Sequence, residues 1–206
     1  WFDQTFGLPT PPQERGWPRI SAGANVLLLA PTGSGKTLAA FLACIDWLYK
    51  HQEQNGPLSP GVRILYVSPL KALNNDIHTN LQEPLSGLTE TAAKLGISVP
   101  AITTAVRTGD TPGNERQRML RRPPDILITT PESLFLMVSS KARQILQTVQ
   151  FVIVDEIHTL FPEKRGAHLA VTLERLEHIC GHSPQRIGLS ATMRPLDEIG
   201  RFLVGP

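Results

Sequence analysis

The sequence is poor in cysteine, with Cys44 and Cys180 far apart in 206 residues. Two such residues build no disulfide framework, and a reducing cytosol is the setting that fits them by default. Cys180 stands close to His178 and His182. That spacing matches no standard zinc pattern, and a helix ending at Gly181 explains the run more simply. Long apolar runs are missing too. No segment reaches the roughly 18 apolar residues that cross a bilayer, so no membrane partner is expected. Nothing near Trp1 reads as a secretory leader. Charge of one sign is also missing: the formal net charge is +2. Only locally is there a bias, where Arg107, Arg116, Arg118, Arg121 and Arg122 face Asp110 and Glu115. A solvated face and a patch for a polyanion both fit that run. Internal repeats and low-complexity tracts are absent.

What is present is an ordinary globular composition, 41% hydrophobic and 18% charged, long enough for one sizeable core. The chain opens at Trp1 and stops at Val204-Gly205-Pro206, which reads as a piece of a longer protein. Short apolar runs at 26–30, 63–67, 99–103, 126–129, 151–154 and 187–189 predict strands. Helical periodicity at 36–50, 71–82, 113–121, 132–147 and 166–180 alternates with them. Strands fed by helices mean an α/β fold, a mostly parallel central sheet with helices on both faces. Ligands in such folds sit at the carboxyl ends of the strands.

The most informative stretch lies at one such end. Ala30-Pro31-Thr32-Gly33-Ser34-Gly35-Lys36-Thr37 follows Val26-Leu27-Leu28-Leu29 and opens a helix. Gly33 and Gly35 let successive amides turn inward as an anion nest, and the helix start adds its dipole. Lys36 reaches the β- and γ-phosphates of a nucleoside triphosphate, and the Thr37 hydroxyl suits Mg²⁺. Ala30 replaces the usual first glycine, a mild departure because Gly33 keeps the loop permissive.

A second run, Phe151-Val152-Ile153-Val154, ends in Asp155-Glu156. A buried strand ending in two carboxylates delivers them to the same sheet edge. Asp155 suits Mg²⁺, partly through water, and Glu156 suits orienting or deprotonating an attacking water. Two further turns share one logic, Val67-Ser68-Pro69-Leu70-Lys71 and Thr129-Thr130-Pro131-Glu132-Ser133. In each, Ser68 or Thr130 is an N-cap candidate and proline is expected at the first helical position. A helix N-terminus presented there binds phosphate without reading base sequence. Ordinary capping also explains either turn alone.

Taken together, these residues resemble the first RecA-like domain of a superfamily 2 helicase. Phe6-Gly7-Leu8-Pro9-Thr10-Pro11-Pro12-Gln13, in the segment 1–20, is similar to the Q motif, and the resemblance implies that Gln13 reads the adenine. Residues 30–37 match motif I, Ser68–Leu73 motif Ia, Arg107-Thr108-Gly109-Asp110 motif Ib and Thr129–Ser133 the next nucleic-acid motif. Asp155-Glu156-Ile157-His158 matches motif II, and Ser190-Ala191-Thr192 motif III. The wording of Arg107–Pro112, Pro123–Val138 and the D-E-I-H box is most similar to the large helicase-related (Lhr) proteins of bacteria and archaea. The resemblance implies a RecA-like P-loop NTPase domain spanning 1–206, with ATP and Mg²⁺ as cofactors. It implies single-stranded DNA or RNA as partner, held through Pro69, Lys71, Arg107, Thr108, Gly109, Thr130 and Pro131. His158, Ser190 and Thr192 would couple hydrolysis to strand binding. Family activity would be 3′→5′ unwinding of DNA and RNA–DNA hybrids, in a bacterial or archaeal cytosol. The second RecA-like domain of that family has no counterpart in this sequence. The piece alone is therefore expected to bind ATP, hydrolyse it slowly and unwind nothing. Two other classes stay open at this point: a P-loop ATPase or kinase with a non-nucleic substrate, and a non-catalytic ATP-binding module. The phosphate-facing turns argue against the first, and the intact Lys36, Thr37, Asp155 and Glu156 against the second.

Overall fold

In the computed structural model, residues 1–69, 71–161, 163–191 and 195–205 are described, with the backbone alone at 71–75. Among the described residues six strands form one parallel sheet: β1 (Val26–Leu29), β2 (Ile64–Val67), β3 (Thr104–Arg107), β4 (Ile126–Thr129), β5 (Phe151–Val154) and β6 (Gln185–Ser190), in the order β1-β6-β5-β2-β4-β3. The helices between them are α1 (Phe2–Phe6), α2 (Pro11–Ser21), α3 (Lys36–Asn55), α4 (Lys71–Lys94), α5 (Gly113–Arg121), α6 (Pro131–Val138), α7 (Ile157–Leu160), α8 (Lys164–Cys180) and α9 (Leu196–Val204). A 3₁₀ turn spans Lys141–Leu146.

Burial explains the sheet order. The central strands β2, β4 and β5 are buried at every position, as continuous apolar runs require when helices cover both faces. The edge strand β1 alternates, and the opposite edge β3 is only half-buried throughout. Period-two side-chain alternation splits the core into two layers. Leu65, Val67, Leu127, Val152 and Val154 pack with α6, α8 and α9. Ile64, Tyr66, Ile126, Ile128 and Ile153 pack with α2, α3 and α4.

Register places the chemistry. Val67 pairs with both Val154 and Thr129, Arg107 with Thr129, and Leu29 with Ser190. The strands therefore end in line, and the motifs that follow β1, β2, β3, β4 and β5 emerge at that one edge.

Several expected elements differ. The run 99–103 forms no strand; β3 lies at Thr104–Arg107 instead. Pro100 lacks a ladder donor, whereas the shifted strand puts Arg107 at the ligand edge. The helix expected at 71–82 continues to Lys94 through Pro84, because Leu85 beyond the expected end is buried in the core. The helix expected at 132–147 breaks at Ser139. Ser140 then accepts from the Ala142 amide and caps the 3₁₀ turn. Pro69 also stands outside α4, which begins at Lys71, so it is not a first-turn proline.

Candidate nucleotide site and nucleic-acid edge

The loop after β1 is held in a shape that only glycine adopts easily. Gly33 and Gly35 both have φ of 80°. At Gly35 a Cβ would stand 2.6 Å from Gln13 Nε2, so space as well as backbone demands glycine there. Gln13 is 3% exposed. Its Oε1 accepts the Thr10 amide at 2.9 Å and its Nε2 donates to the Gly35 carbonyl at 3.4 Å. The Thr10 hydroxyl donates to the Ser34 carbonyl at 2.8 Å. Thus the start of α2 grips the loop from behind.

Lys36 is 5% exposed, and Nζ donates to the Pro31 carbonyl at a long 3.4 Å. The Ser34 hydroxyl is buried without a partner. A buried ammonium and an orphaned hydroxyl at a helix N-terminus fit an anionic group arriving from outside the chain. A cavity of about 570 Å³ opens directly on Lys36, with Ser34 outside its lining. Thr32, Gly33, Gly35, Lys36 and Thr37 line it on one side, and Asp155 and Glu156 close its end. Phe6 and residues of α4 from Asp76 to Pro84 form the other wall. Gln13 does not line this cavity; its amide faces the loop.

Asp155 sits at the end of β5, 5% exposed. Oδ1 accepts the Glu156 amide at 2.8 Å, and Oδ2 accepts the Tyr66 hydroxyl. The same Tyr66 hydroxyl is hydrogen-bonded by Thr37. Tyr66, stacked on Phe41, therefore joins the two side chains expected to hold Mg²⁺. Burial raises the Asp155 carboxyl above its ordinary range, against the lowering effect of the Tyr66 bond. Burial and the adjacent Asp155 push the Tyr66 phenol well above its ordinary value. Among the described residues no group of three or more His, Cys, Asp or Glu could hold a metal ion. One carboxylate and one hydroxyl still fit Mg²⁺, which keeps waters and takes phosphate oxygens.

Glu156 is the one non-glycine among the described residues with positive φ, 49°. Strained backbone of this kind marks sites that structure has over-determined. Its Oε2 lies 3.2 Å from His158 Nδ1. That nitrogen also lies 3.2 Å from the Ser190 hydroxyl and 3.4 Å from the Ala191 amide. Without a hydrogen on Nδ1 the ring accepts there from Ser190 and Ala191; with one it donates to Glu156 instead. One nitrogen cannot do both, so His158 is a two-way contact between the acid pair and the end of β6. The structure thus brings His158 and Ser190 together, while Thr192 lies outside the described residues.

The remaining motif residues line the same edge. Thr130 Oγ1 accepts from the Ser133 amide at 3.3 Å and caps α6, with Pro131 in the first helical position. Ser68 is fully buried, and its amide donates to the Thr129 carbonyl at 3.0 Å. Lys71 begins α4, but its side chain lies outside the described residues. Arg107 ends β3, and one of its guanidinium nitrogens is buried with no partner. Burial, and then the neighbouring Arg116 guanidinium, lower its affinity for its proton. Two close cations with an unsatisfied donor suit an oxyanion. Arg116 went unsingled in the sequence. It binds the carbonyls of Thr111, Gly109 and Thr108 at 2.7, 2.7 and 3.4 Å and so shapes the loop carrying Thr108 and Gly109. Only its place in the arginine run hinted at this. No described helix is long and apolar enough to cross a membrane.

Residues 10–199 match the family model for DEAD/DEAH box helicases. The chain is 55% identical over its whole length to an Lhr helicase and probable uracil glycosylase of Mycolicibacterium smegmatis, of which it covers 13%. It is 52% identical to an ATP-dependent helicase Lhr-Core of Methanocaldococcus jannaschii, covering 24% of that protein. It therefore spans at most about a quarter of these relatives. A solved structure of Mycobacterium smegmatis helicase Lhr bound to ssDNA and AMP-PNP aligns with all of this chain and 26% of its own, with TM-score 0.93 and 54% identity. The DEAD-box helicase Mss116, at 20% identity and TM-score 0.79, shares the fold. The sheet is thus a RecA-like domain, and the chain belongs to the DEAD/DEAH box helicase family, with whole-length similarity to its Lhr members.

Proposed function

We propose that this chain is the ATP-binding half of an ATP-dependent helicase or translocase that acts on single-stranded DNA or RNA. One observation carries the reading. The phosphate-binding loop, the Asp155-Glu156 pair and the turns at Pro69, Arg107–Gly109 and Thr130-Pro131 all emerge at one sheet edge. The match to a helicase solved with ssDNA and AMP-PNP supports it.

The loop amides and Lys36 bind the β- and γ-phosphates. Thr37 and Asp155, aligned by Tyr66, would hold Mg²⁺ directly or through water. When bound, that ion neutralises charge on the phosphates. Glu156 orients the attacking water and takes its proton. Phe6 offers an aromatic wall to the base. For Gln13 to read the adenine, its amide must leave the Gly35 carbonyl, so nucleotide entry and loop release are one event. The capped start of α6 and the Arg107–Arg116 pair take strand phosphates. His158 passes between Glu156 and Ser190 as the coupling contact, a role that Thr192 shares by its place in the sequence motif.

The second RecA-like domain of the same polypeptide supplies the opposite wall of the ATP site. An arginine finger from such a wall is worth about 10³–10⁵ in rate in related phosphoryl-transfer enzymes. The isolated chain is therefore expected to bind ATP, hydrolyse it slowly and unwind nothing. The proposed compartment of the full-length protein is a bacterial or archaeal cytosol or nucleoid, a reading supported by its bacterial and archaeal relatives. The test is the ATPase rate of the full-length protein with and without oligo-dT or oligo-U. Stimulation is expected, and an equal rate in all conditions overturns the reading.

A further inference from the structure

Arg165, in the first turn of α8, belongs to none of the motifs above. Its Nε donates to Glu132 Oε1 at 2.7 Å, and its Nη2 donates to the Pro69 carbonyl at 3.1 Å. Pro69 follows β2 and Glu132 follows β4, and these strands are neighbours. One side chain therefore spans both phosphate-facing turns. Its own backbone is tied to the acid segment. At the adjacent Gly166, a Cβ would stand 2.1 Å from the Leu160 carbonyl oxygen. The start of α8 is thus pressed against α7, which carries His158.

Charge points the same way. Glu132 lies at the N-terminus of α6, where a carboxylate is favoured by the helix dipole. A phosphate is attracted by the same dipole and repelled by the same carboxylate. The Arg165 bond counters burial and holds the Glu132 carboxyl below its ordinary range. The pair is open to solvent, with side chains 42% and 57% exposed. Exposed pairs add little to stability, so the arrangement is poorly explained as a fold-stabilising device. Its planar fork to two fixed acceptors is a geometric one.

We propose that Arg165 is a positioning residue that sets the spacing of the Pro69 and Thr130-Pro131 turns and links them to the Asp155–His158 segment, so that strand binding is felt at the ATP site. The inference rests on the function proposed above. It is tested in the full-length protein by oligo-dT-stimulated ATPase, titrated in oligo-dT at several salt concentrations. R165A should raise the half-saturating oligo-dT concentration about tenfold, the scale of a direct coupling between contacting groups. The salt slope should match wild type, because no phosphate contact has gone. R165K should fail to rescue, since a point charge cannot serve both acceptors. E132A should weaken stimulation in the same direction, and R165A/E132A should be no worse than R165A.

If Arg165 instead touches phosphate directly, three results differ. R165A lowers the salt slope by about 0.7, R165K rescues, and E132A tightens binding by freeing the guanidinium. Any of these overturns the inference. So does wild-type behaviour of R165A alongside normal wild-type stimulation. Absence of stimulation in wild type overturns the function itself, and this inference with it.

Discussion

The loop at 30–37 and the turn at 129–133 are built alike: a parallel strand ends, the chain turns, a helix begins. They differ in what satisfies their polar atoms. At the first, α3 starts from Gly35 with no side-chain cap, the Ser34 hydroxyl is buried without a partner and Lys36 has one long carbonyl contact. At the second, Thr130 caps α6 and Glu132 is paired with Arg165. The first turn leaves its polar groups underused, at a standing cost to the fold. The second is already satisfied from within and offers a rigid surface. Nearby, Arg107 shares the character of the first, with one buried nitrogen unpaired. Loss of the underused polar side chains in the first turn should therefore cost chemistry while leaving the fold intact. Lesions in the second should loosen the fold and the alignment of the strand.

The largest effect expected from this contrast is at Lys36. K36A in the full-length protein should lower the oligo-dT-stimulated kcat by about 10²–10³, the cost of removing one preorganised charge-stabilising donor. Its half-saturating oligo-dT concentration, read by fluorescence anisotropy, should stay close to wild type. A K36A protein that keeps its kcat would erase the contrast from the ATP side. G35A comes next. A Cβ at φ 80° meets both backbone strain and the Gln13 amide. The cost is about 1–2 kcal/mol for the left-handed conformation, seen in urea unfolding of the 206-residue chain. Adding Q13A should recover part of it, because the clash is with a flexible side-chain end.

A matched pair sharpens the comparison further. T130A removes a cap that satisfies the Ser133 amide and should destabilise by about 1 kcal/mol. S34A removes a buried hydroxyl that has no partner. It should be neutral or slightly stabilising in the nucleotide-free chain. Thermal unfolding of both variants side by side reads the difference. Equal losses would show that the two turns are satisfied to the same degree.

Legibility from sequence divides along the same line. The loop at 30–37 and the pair Asp155-Glu156 are contiguous, and local chain chemistry alone states their purpose. The central strands read as apolar runs because both their faces are covered. What stayed hidden is made by distant residues meeting. Tyr66 reads as a core residue of β2, and its hydroxyl acquires a role only when β5 places Asp155 beside it. Arg116 and Arg165 look like solvated helix charges until the folded chain sets carbonyls against them. The half-buried edge strand β3 lacks the strong apolar run that reveals β2, β4 and β5, which is why 99–103 draws the eye instead of Thr104–Arg107. The extension of α4 past Pro84 defies local propensity and rests on burial of Leu85 in the core.

The smallest expected effect probes the cost of a prepared site. The folded carboxyl of Asp155 sits above the 3.8 of an ordinary aspartate, chiefly through burial. A raised carboxyl means that folding favours the protonated form. Its stabilising contribution is therefore present at acid pH and lost as pH rises through the folded value. At neutral pH the ionised carboxylate is a liability to the nucleotide-free chain, because the Tyr66 and Glu156 bonds do not fully offset its burial. D155N keeps the shape and removes the charge. It should raise Tm by no more than a few degrees at pH 7, with an advantage that fades toward the acid range. Mg²⁺ and nucleotide should reverse the ranking, because a ligand that binds only the folded state stabilises the protein able to hold it. A D155N chain that melts below wild type at pH 7 without ligand would show that Asp155 is held by its partners rather than strained by its burial. The acid end of the nucleotide site would then be no more costly at rest than the turn at 129–133.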